Sequence, residues 1–385
     1  MVVLTYVYVI IIDKININGD FVLKDIILGE AKGLGIDIIG FTDGEVFSEL
    51  QPVIKDRLDK GFISSFFHVD IEQNTNPLIV WKDTKSIISI GVSYKHKLDE
   101  TKIDKSRCSI SRVAWGQDYH NILLEKMNRL MSNITREYPD IKYKAYVDNA
   151  PLLDRAVAHR SGLGFYGKNG FIINKLYGSY IFLGHILTNI ELGKSSELDD
   201  CTTCRFCSRC IQACPTGAIK EGYDFNSNKC ISFFTQKKEL LSREERKYIG
   251  KMVYGCDICQ EVCPINKTAK YSNEAAFVPL KDVVRPKIKD IINMDNAMFK
   301  NIYKSSSAGW RGKKILQRNA IIVAGNIKTE ENYQLLKQTL NDSRWDIRMY
   351  SMFSLLEYGE RGMNEIKEKL NGEDEEFRKN FNIYC

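Results

Sequence analysis

Long apolar runs are absent from this chain after its first twelve residues. No later segment offers about 18 uncharged apolar residues, which excludes a membrane-spanning helix of ordinary length. The opening stretch, MVVLTYVYVIII, is apolar but has no basic flank and no small-residue cleavage site after it. It therefore does not read as a secretory leader, but as a buried β-strand or an extension from an upstream start. Prolines are scarce, eight in 385 residues, and with 44% hydrophobic and 27% charged residues the composition is that of a soluble globular protein. A dominant charge of one sign is missing too: the formal net charge is +6, a mild basic excess that matters only where it is concentrated. The expected location is the cytoplasm, with no membrane partner. At this length two or three domains are expected rather than one core.

Cysteine is what the chain has in quantity. Eleven in a chain this long argue against a secreted disulfide scaffold and for metal or redox chemistry in a reducing compartment. Five fall in CTTCRFCSRCIQACP, residues 201–215. Read back from Pro215, four of them give Cys204-x2-Cys207-x2-Cys210-x3-Cys214-Pro, the spacing of bacterial ferredoxins, in which the fourth cysteine crosses to a second cluster. A second run exists, Cys256-x2-Cys259-x3-Cys263-Pro264. It lacks its first member, since Val253 stands there, and Cys230 in NKCISFF supplies a substitute. The crossing rule then assigns Cys204, Cys207, Cys210 and Cys263 to one [4Fe–4S] cluster, and Cys214, Cys230, Cys256 and Cys259 to the other. Cys108, Cys201 and Cys385 are spare. Structural zinc also uses CxxC pairs, but rarely as two interlocked runs ending in Cys-Pro.

From Leu23 to about Ser195 strands and helices alternate. SIISIGVSY (86–94) reads as a buried strand. DYHNILLEKMNRLMSNITREY reads as an amphipathic helix with Leu123, Met127, Leu130, Met131 and Ile134 on one face. IKYKAYV is another strand, ending just before Asp148. Asn149 is placed to cap a helix carrying Pro151 in its first turn, which Gly162 and Gly164 end. GFIINKLYGSYIFLGHIL reads as a hairpin turning near Tyr177-Gly178. GLGFYGKNG (162–170) is a glycine-punctuated loop carrying Lys168 and Asn169, and its glycines alone suggest no more than turn geometry. From Trp310 the text is helical, with Arg318, Arg348 and Arg378 recurring every thirty residues, the mark of stacked two-helix repeats. The stretch YKSSSAGWRGKKILQR (303–318) holds five basic residues and no acidic one beside Trp310. It is a solvated loop or, on the functional reading, a phosphate-binding patch with an aromatic platform.

The block VDNAPLLDRAVAHRSGLGFYGKNGFIINKLYGSYIFLGHILTNIEL, followed in order by CRFCSRCIQACPTGAI, KCISFFTQ, YGCDICQEVCPINK and GWRGKKILQRNAI, resembles the epoxyqueuosine reductase family over roughly residues 23–350. The resemblance implies an α/β (α+β) cobalamin-binding catalytic domain over 1–195, a ferredoxin-like domain with two [4Fe–4S] clusters over 196–270, and a helical HEAT-like tRNA-binding region over 271–385. It implies reduction of epoxyqueuosine to queuosine at the tRNA wobble position, with Asp148 as general acid. It implies corrinoid contacts at Ser111, Asp148, Asp154, Lys168, Asn169, Ile172, Leu183 and Ser232. Bound tRNA would meet Trp310, Arg311, Lys313, Lys314 and Arg318. The chain departs from the family's pattern at Tyr166 and at His185, a position that is commonly Glu. None of the five histidines lies in a D-x-H-x-x-G motif, so no imidazole ligand to cobalt is announced.

Such a reduction takes two electrons and two protons, loaded stepwise by a single-electron donor such as a flavodoxin or ferredoxin, and the chain is expected to act as a monomer. An aspartic acid with a pKa near 3.9 is a poor donor at neutral pH, so burial against an apolar corrin face is expected to raise Asp148 by roughly 2–3 units. Two other classes fit parts of the sequence. A dehalogenase-like corrinoid iron–sulfur reductase would lack the basic C-terminal patch, and exported members carry a twin-arginine leader that is absent here. A non-catalytic electron-transfer or RNA-binding module would bind no corrinoid.

Overall fold

The computed structural model describes residues 19–97, 104–148, 150–195, 202–222 and 224–385. The opening apolar stretch, Asn149 and Cys201 lie outside the described residues. Four strands form the main sheet: β1 Ile38–Asp43, β2 Ser86–Ser93, β3 Tyr143–Tyr146 and β4 Ile181–Thr188. Their order is β1-β2-β4-β3 and every pairing is antiparallel, so of the two expected classes the sheet is α+β. All eight residues of β2 are buried, because both faces of the sheet are covered. On one face Ile88, Ile90 and Val92 pack under the helix Tyr119–Glu137. That helix buries Leu123, Met127, Leu130, Met131 and Ile134, the five residues its periodicity predicts, and Asp118 caps it by accepting the His120 N–H. Each such side chain contributes roughly 1.5–3 kcal/mol on burial. On the other face Ile87 and Leu187 pack against Ala156 and Val157 of the helix Asp154–Arg160.

Two local expectations shift. The helix after β3 starts at Asp154 with Leu153 as its cap, four residues later than an Asn149 cap would have it. The intervening chain turns instead through Asp148, whose backbone lies in the left-handed region at φ +53°. Gly162 ends the helix as expected, at φ +78°. The hairpin expected at Tyr177-Gly178 is reduced to a single bridge between Asn174 and Gly178. Ile172–Ile173 pairs with Phe165–Tyr166, while β4 is claimed by the main sheet.

The apolar core does not follow the three expected segments. Cys108, Ile110 and Trp115 share one core with Ile231, Phe234, Leu241 and Ile249, and with the helices that run to Tyr384. Ser109–Ile110 pairs in parallel with Met252–Tyr254. The C-terminal part contains helices Lys313–Asn326 and Glu330–Thr339, then Trp345–Leu356 and Glu360–Asn371, then Glu375–Tyr384, so the thirty-residue arginine spacing does follow helix pairs. Lys95, 8% exposed, donates to the carbonyls of Asn266 (2.8 Å), Lys267 (3.3 Å) and Ala269 (2.6 Å). It thereby neutralises the free carbonyl end of the short helix Pro264–Thr268, whose N-cap is Cys263, and ties that helix to the end of β2.

Candidate functional site

Asp148 stands at the end of β3, and among the described residues it is the one non-glycine with positive φ. Aspartate tolerates this region better than most residues, and a strained backbone persists where its surroundings hold it. The Tyr119 hydroxyl donates to Asp148 Oδ2, and His120 Nε2 lies 3.7 Å from the same oxygen. Tyr119 is itself fixed by stacking on Phe182 at 4.2 Å, and His120 by Asp118 at 2.6 Å. Burial first, and then the Asp148 charge, push the Tyr119 hydroxyl far up, so it stays a donor. The hydrogen bond to Asp118 raises His120, favouring the imidazolium beside Asp148.

Beneath Asp148 lies Asp154, in the first turn of its helix. Burial, then the neighbouring Asp148 charge, raise Asp154 well above the carboxylate range. His185, on β4, faces Asp154 at 3.4 Å and is 3% exposed. Burial pushes it down to about 3, so it is neutral, with Nδ1 on the Ser89 hydroxyl at 3.0 Å and Ser89 on Ser161 at 2.7 Å. Sequence reasoning expected Asp148 to be the buried, raised acid. Its side chain is half-exposed at 47%, and the carboxyl that burial raises is its neighbour Asp154.

The cysteines gather in the two sets the spacing assigns. Cys204, Cys207, Cys210 and Cys263 line one pocket, with Lys168, Asn169 and Arg209 at its walls. Burial, then the charges of Cys204 and Cys207, push Cys210 up to about 11. In the other set, burial and then the Cys230 charge raise Cys256 to about 12, and burial and then the charges of Cys256 and Cys230 raise Cys259 well above the thiol range. Burial, and among charges Cys214, raise Cys230. Cys214 goes the other way: burial raises it, but the Thr216 hydroxyl and nearby backbone N–H groups outweigh that. No three ligating side chains among the described residues converge on a point that one ion could share. The first set rings a space, as a cubane requires. Thiols that resist ionisation in isolation are suited to a site where iron neutralises the thiolates. No disulfide joins the described cysteines, and Cys108 is an inert core residue whose thiol burial pushes up to about 12.

The second set is joined to the Asp148 side of the molecule. Ser111 Oγ donates to Asp257 Oδ1 at 2.5 Å and the Arg112 N–H to Oδ2 at 2.8 Å, locking the loop between Cys256 and Cys259. Gly255 is required here: its φ is +67°, and an added Cβ would come within 2.5 Å of Ser111 Cβ. Tyr254, just before it, feels the charges of Asp118 and Asp148.

The residues assigned to a corrinoid divide by exposure. Asp148, Asp154 and Leu183 keep part of their side chains open, as does Ser232, which accepts from Gln236 Nε2 at 3.1 Å. Ser111, Asn169 and Ile172 are buried at 2%, 4% and 2%. Lys168 is directed to Glu221 at 3.1 Å. Two buried atoms with no hydrogen bond, Asp154 Oδ1 and His185 Nε2, lie under Asp148, and such orphans suit a pocket floor built for a polar group.

In the basic stretch the structure overturns one expectation. Arg318 is 2% exposed and donates to the carbonyls of Lys237 (2.6 Å) and Phe234 (3.2 Å) and to Asn319 Oδ1 (3.0 Å). It fastens the cysteine-bearing segment to the helical core and cannot reach phosphate. Lys313 and Lys314 are bonded to Asn296 (2.7 Å) and Asp346 (2.9 Å) at the surface, and Lys304 is exposed. Trp310 is 54% exposed, with its Nε1 on Gln236 at 2.8 Å. Arg311 lies between its ring (3.7 Å) and that of Phe66 (4.2 Å). Phe66, Tyr119, His120, Asp257 and the role of His185 escaped sequence reasoning. Asp118, a helix cap four residues after Ala114 in an otherwise apolar turn, was the one available signal for the Tyr119–His120 pair.

Two family profiles match the chain: "4Fe-4S double cluster binding domain" over residues 203–266, and "Epoxyqueuosine reductase QueG, DUF1730" over 75–149. The epoxyqueuosine reductase of Bacillus anthracis is 37% identical over 351 residues, covering 90% of this chain and 92% of that one. A crystal structure of epoxyqueuosine reductase with an epoxyqueuosine-modified tRNA-Tyr stem loop superposes with a TM-score of 0.89 at 34% identity, covering 94% of this chain and 98% of that one. A Bacillus subtilis epoxyqueuosine reductase with its catalytic loop swung out of the active site matches with the same TM-score, identity and coverage.

Proposed function

The chain belongs to the epoxyqueuosine reductase family, and from that premise we propose that it reduces the wobble-position epoxide of tRNA with Asp148 as proton donor and cobalamin as cofactor. The observation that carries this reading is Asp148 itself, held in a left-handed conformation by Tyr119 at the open end of β3, above a second carboxyl whose pKa burial raises. Conversion of an epoxide to an alkene consumes two electrons and two protons and releases water. Cobalamin, when bound, supplies the two-electron reductant at the epoxide carbon. Asp148 gives its proton to the opening oxygen, Tyr119 aims the carboxyl, and Asp154 replaces the proton from below. Asp148, Asp154, Leu183 and Ser232 would hold the corrinoid by side chain, with Lys168 at its periphery, together with Ser111, Asn169 and Ile172.

We assign the catalytic, two-cluster and helical units to 1–195, 196–270 and 271–385, the last a HEAT-like repeat region, with residues 108–115 of the first packed into the core shared by the other two. Trp310 and Arg311 offer a stacking surface for a splayed base, while Lys304, Lys313 and Lys314 hold phosphates. The swung-out loop of the Bacillus subtilis relative supports a mobile Asp148 loop here, since a strained residue released from Tyr119 relaxes. The chain works in the cytoplasm as a monomer fed by a single-electron carrier. Among the described residues no helix is long and apolar enough to cross a membrane.

The test is reconstitution with iron, sulfide and cobalamin, followed by nucleoside mass analysis of epoxyqueuosine-tRNA incubated with a reductant. Queuosine is the expected product. Conversion that proceeds equally well without cobalamin would overturn the cofactor assignment.

A further inference from the structure

Phe206 is 85% exposed, more than any other large hydrophobic side chain among the described residues. It stands between two ligands of the first cysteine set, Cys204 and Cys207, and nothing in the chemistry at Asp148 uses it. Phe206 is an apolar tip standing between two exposed arginines beside the first cysteine set. The segment itself is basic, flanked in sequence by Asp199–Asp200 and Glu221. Residues 202–220 contain Arg205, Arg209 and Lys220 and no carboxylate. Arg205 and Arg209 are both exposed.

The two cysteine sets differ in access. The set of Cys256 and Cys259 is walled by Tyr254, Asp257 and Gln260, at 6%, 5% and 1% exposure, and joined through Ser111 to the Asp148 side. The set of Cys204, Cys207 and Cys210 has exposed Thr203, Arg205, Phe206 and Arg209 as its immediate neighbours. Electron transfer between proteins falls steeply with distance, so a donor must approach the outer set.

We propose that the Phe206 tip and its arginine rim are the docking site of an acidic one-electron carrier protein. This rests on the two-cluster reading above and names the partner surface that reading leaves open. The apolar tip fits against the exposed edge of the carrier's redox group, and the arginines meet its acidic rim, steering the encounter. Each encounter oxidises one carrier by one electron and reduces the outer set by one. Two encounters supply the two electrons that the epoxide consumes, with two protons, as it becomes alkene and water.

The experiment uses the full chain reconstituted with iron and sulfide only, so that neither cobalamin nor tRNA enters. Reduced flavodoxin is mixed with it in a stopped-flow instrument and loss of the cluster absorbance is timed, with dithionite as the small-molecule control. Arg205→Glu should slow reduction by flavodoxin about tenfold at roughly 50 mM salt and flatten its dependence on salt. Phe206→Ser should slow it several-fold at every salt concentration. Both should keep the wild-type iron content and dithionite rate, and Arg205→Gln serves if the reversal disturbs iron uptake. Flavodoxin rates equal to wild type in both variants would overturn the proposal. So would variants whose only defect is in tRNA affinity or in self-association measured by sedimentation. A wild-type chain that takes up no iron would instead remove the two-cluster reading.

Discussion

Asp154 Oδ1 and His185 Nε2 face each other across 3.4 Å in the floor of the site, both buried, and neither atom makes a hydrogen bond. Burial pushes the two groups toward their neutral forms by opposite routes: it raises the carboxyl well above its ordinary range and lowers the imidazole to about 3. A neutral carboxylic acid held beside Asp148 is a proton reserve, and an ionised pair at this depth would demand desolvation of two charges.

The pair makes opposing contributions to stability against pH. Unfolded His185 titrates near 6.5 and folded His185 at about 3, so between these values the unfolded chain binds the extra proton and stability rises with pH. Asp154 is raised on folding, so above the ordinary value near 3.9 the folded chain binds the extra proton and stability falls with pH. Between about pH 4 and 6.5 the two slopes oppose. Asp154→Asn should leave the histidine alone and expose a slope of up to about 1.4 kcal/mol per pH unit, rising with pH. Urea unfolding at a series of pH values measures it; an unchanged, shallow profile would refute the pairing.

Asp148→Asn should keep the shape of the site, since asparagine also tolerates the left-handed backbone. Turnover should fall by about 10²–10⁴ while iron and corrinoid content stay the same. Tyr119→Phe retains the stack on Phe182 and removes only the hydroxyl, so a milder loss, about tenfold in kcat with KM little changed, is expected. Near-normal turnover in the Asn variant would exclude the acid role.

Cys230→Ala should lose about half the bound iron, because it removes one ligand of the second set. Cys201→Ala should keep about eight irons per chain. Iron analysis of the two purified variants separates this register from one opening at Cys201.

Replacing Lys313 and Lys314 together by Ala should flatten the salt dependence of tRNA affinity by about one or two units of slope and raise KM for tRNA. Arg318→Ala should act differently. It strips hydrogen bonds from buried carbonyls, so a loss of several kcal/mol in stability is expected, visible in thermal unfolding before any change in salt slope. A folded Arg318→Ala variant with weakened tRNA binding would restore it to the RNA surface.

The sequence by itself determined the interlocked cysteine spacing, the helix over 119–137 with its five core residues, and the strand that ends two residues before Asp148. Each of these is a matter of spacing along the chain: ligand intervals, the 3.6-residue period and the strand-to-loop boundary are all local quantities. The tertiary structure alone decided that Arg318 is a clamp rather than a phosphate contact, because a guanidinium reads the same in sequence whether its helix face meets solvent or the carbonyls of Phe234 and Lys237, more than eighty residues upstream. It decided that the raised carboxyl is Asp154 and that His185 lies beneath it, since that follows from the register that sets His185 of β4 between Ser89 and Tyr146. It also decided the shared core of residues 108–115, 231–254 and the C-terminal helices, which no local pattern records, because burial is a property of what the rest of the chain brings against a face.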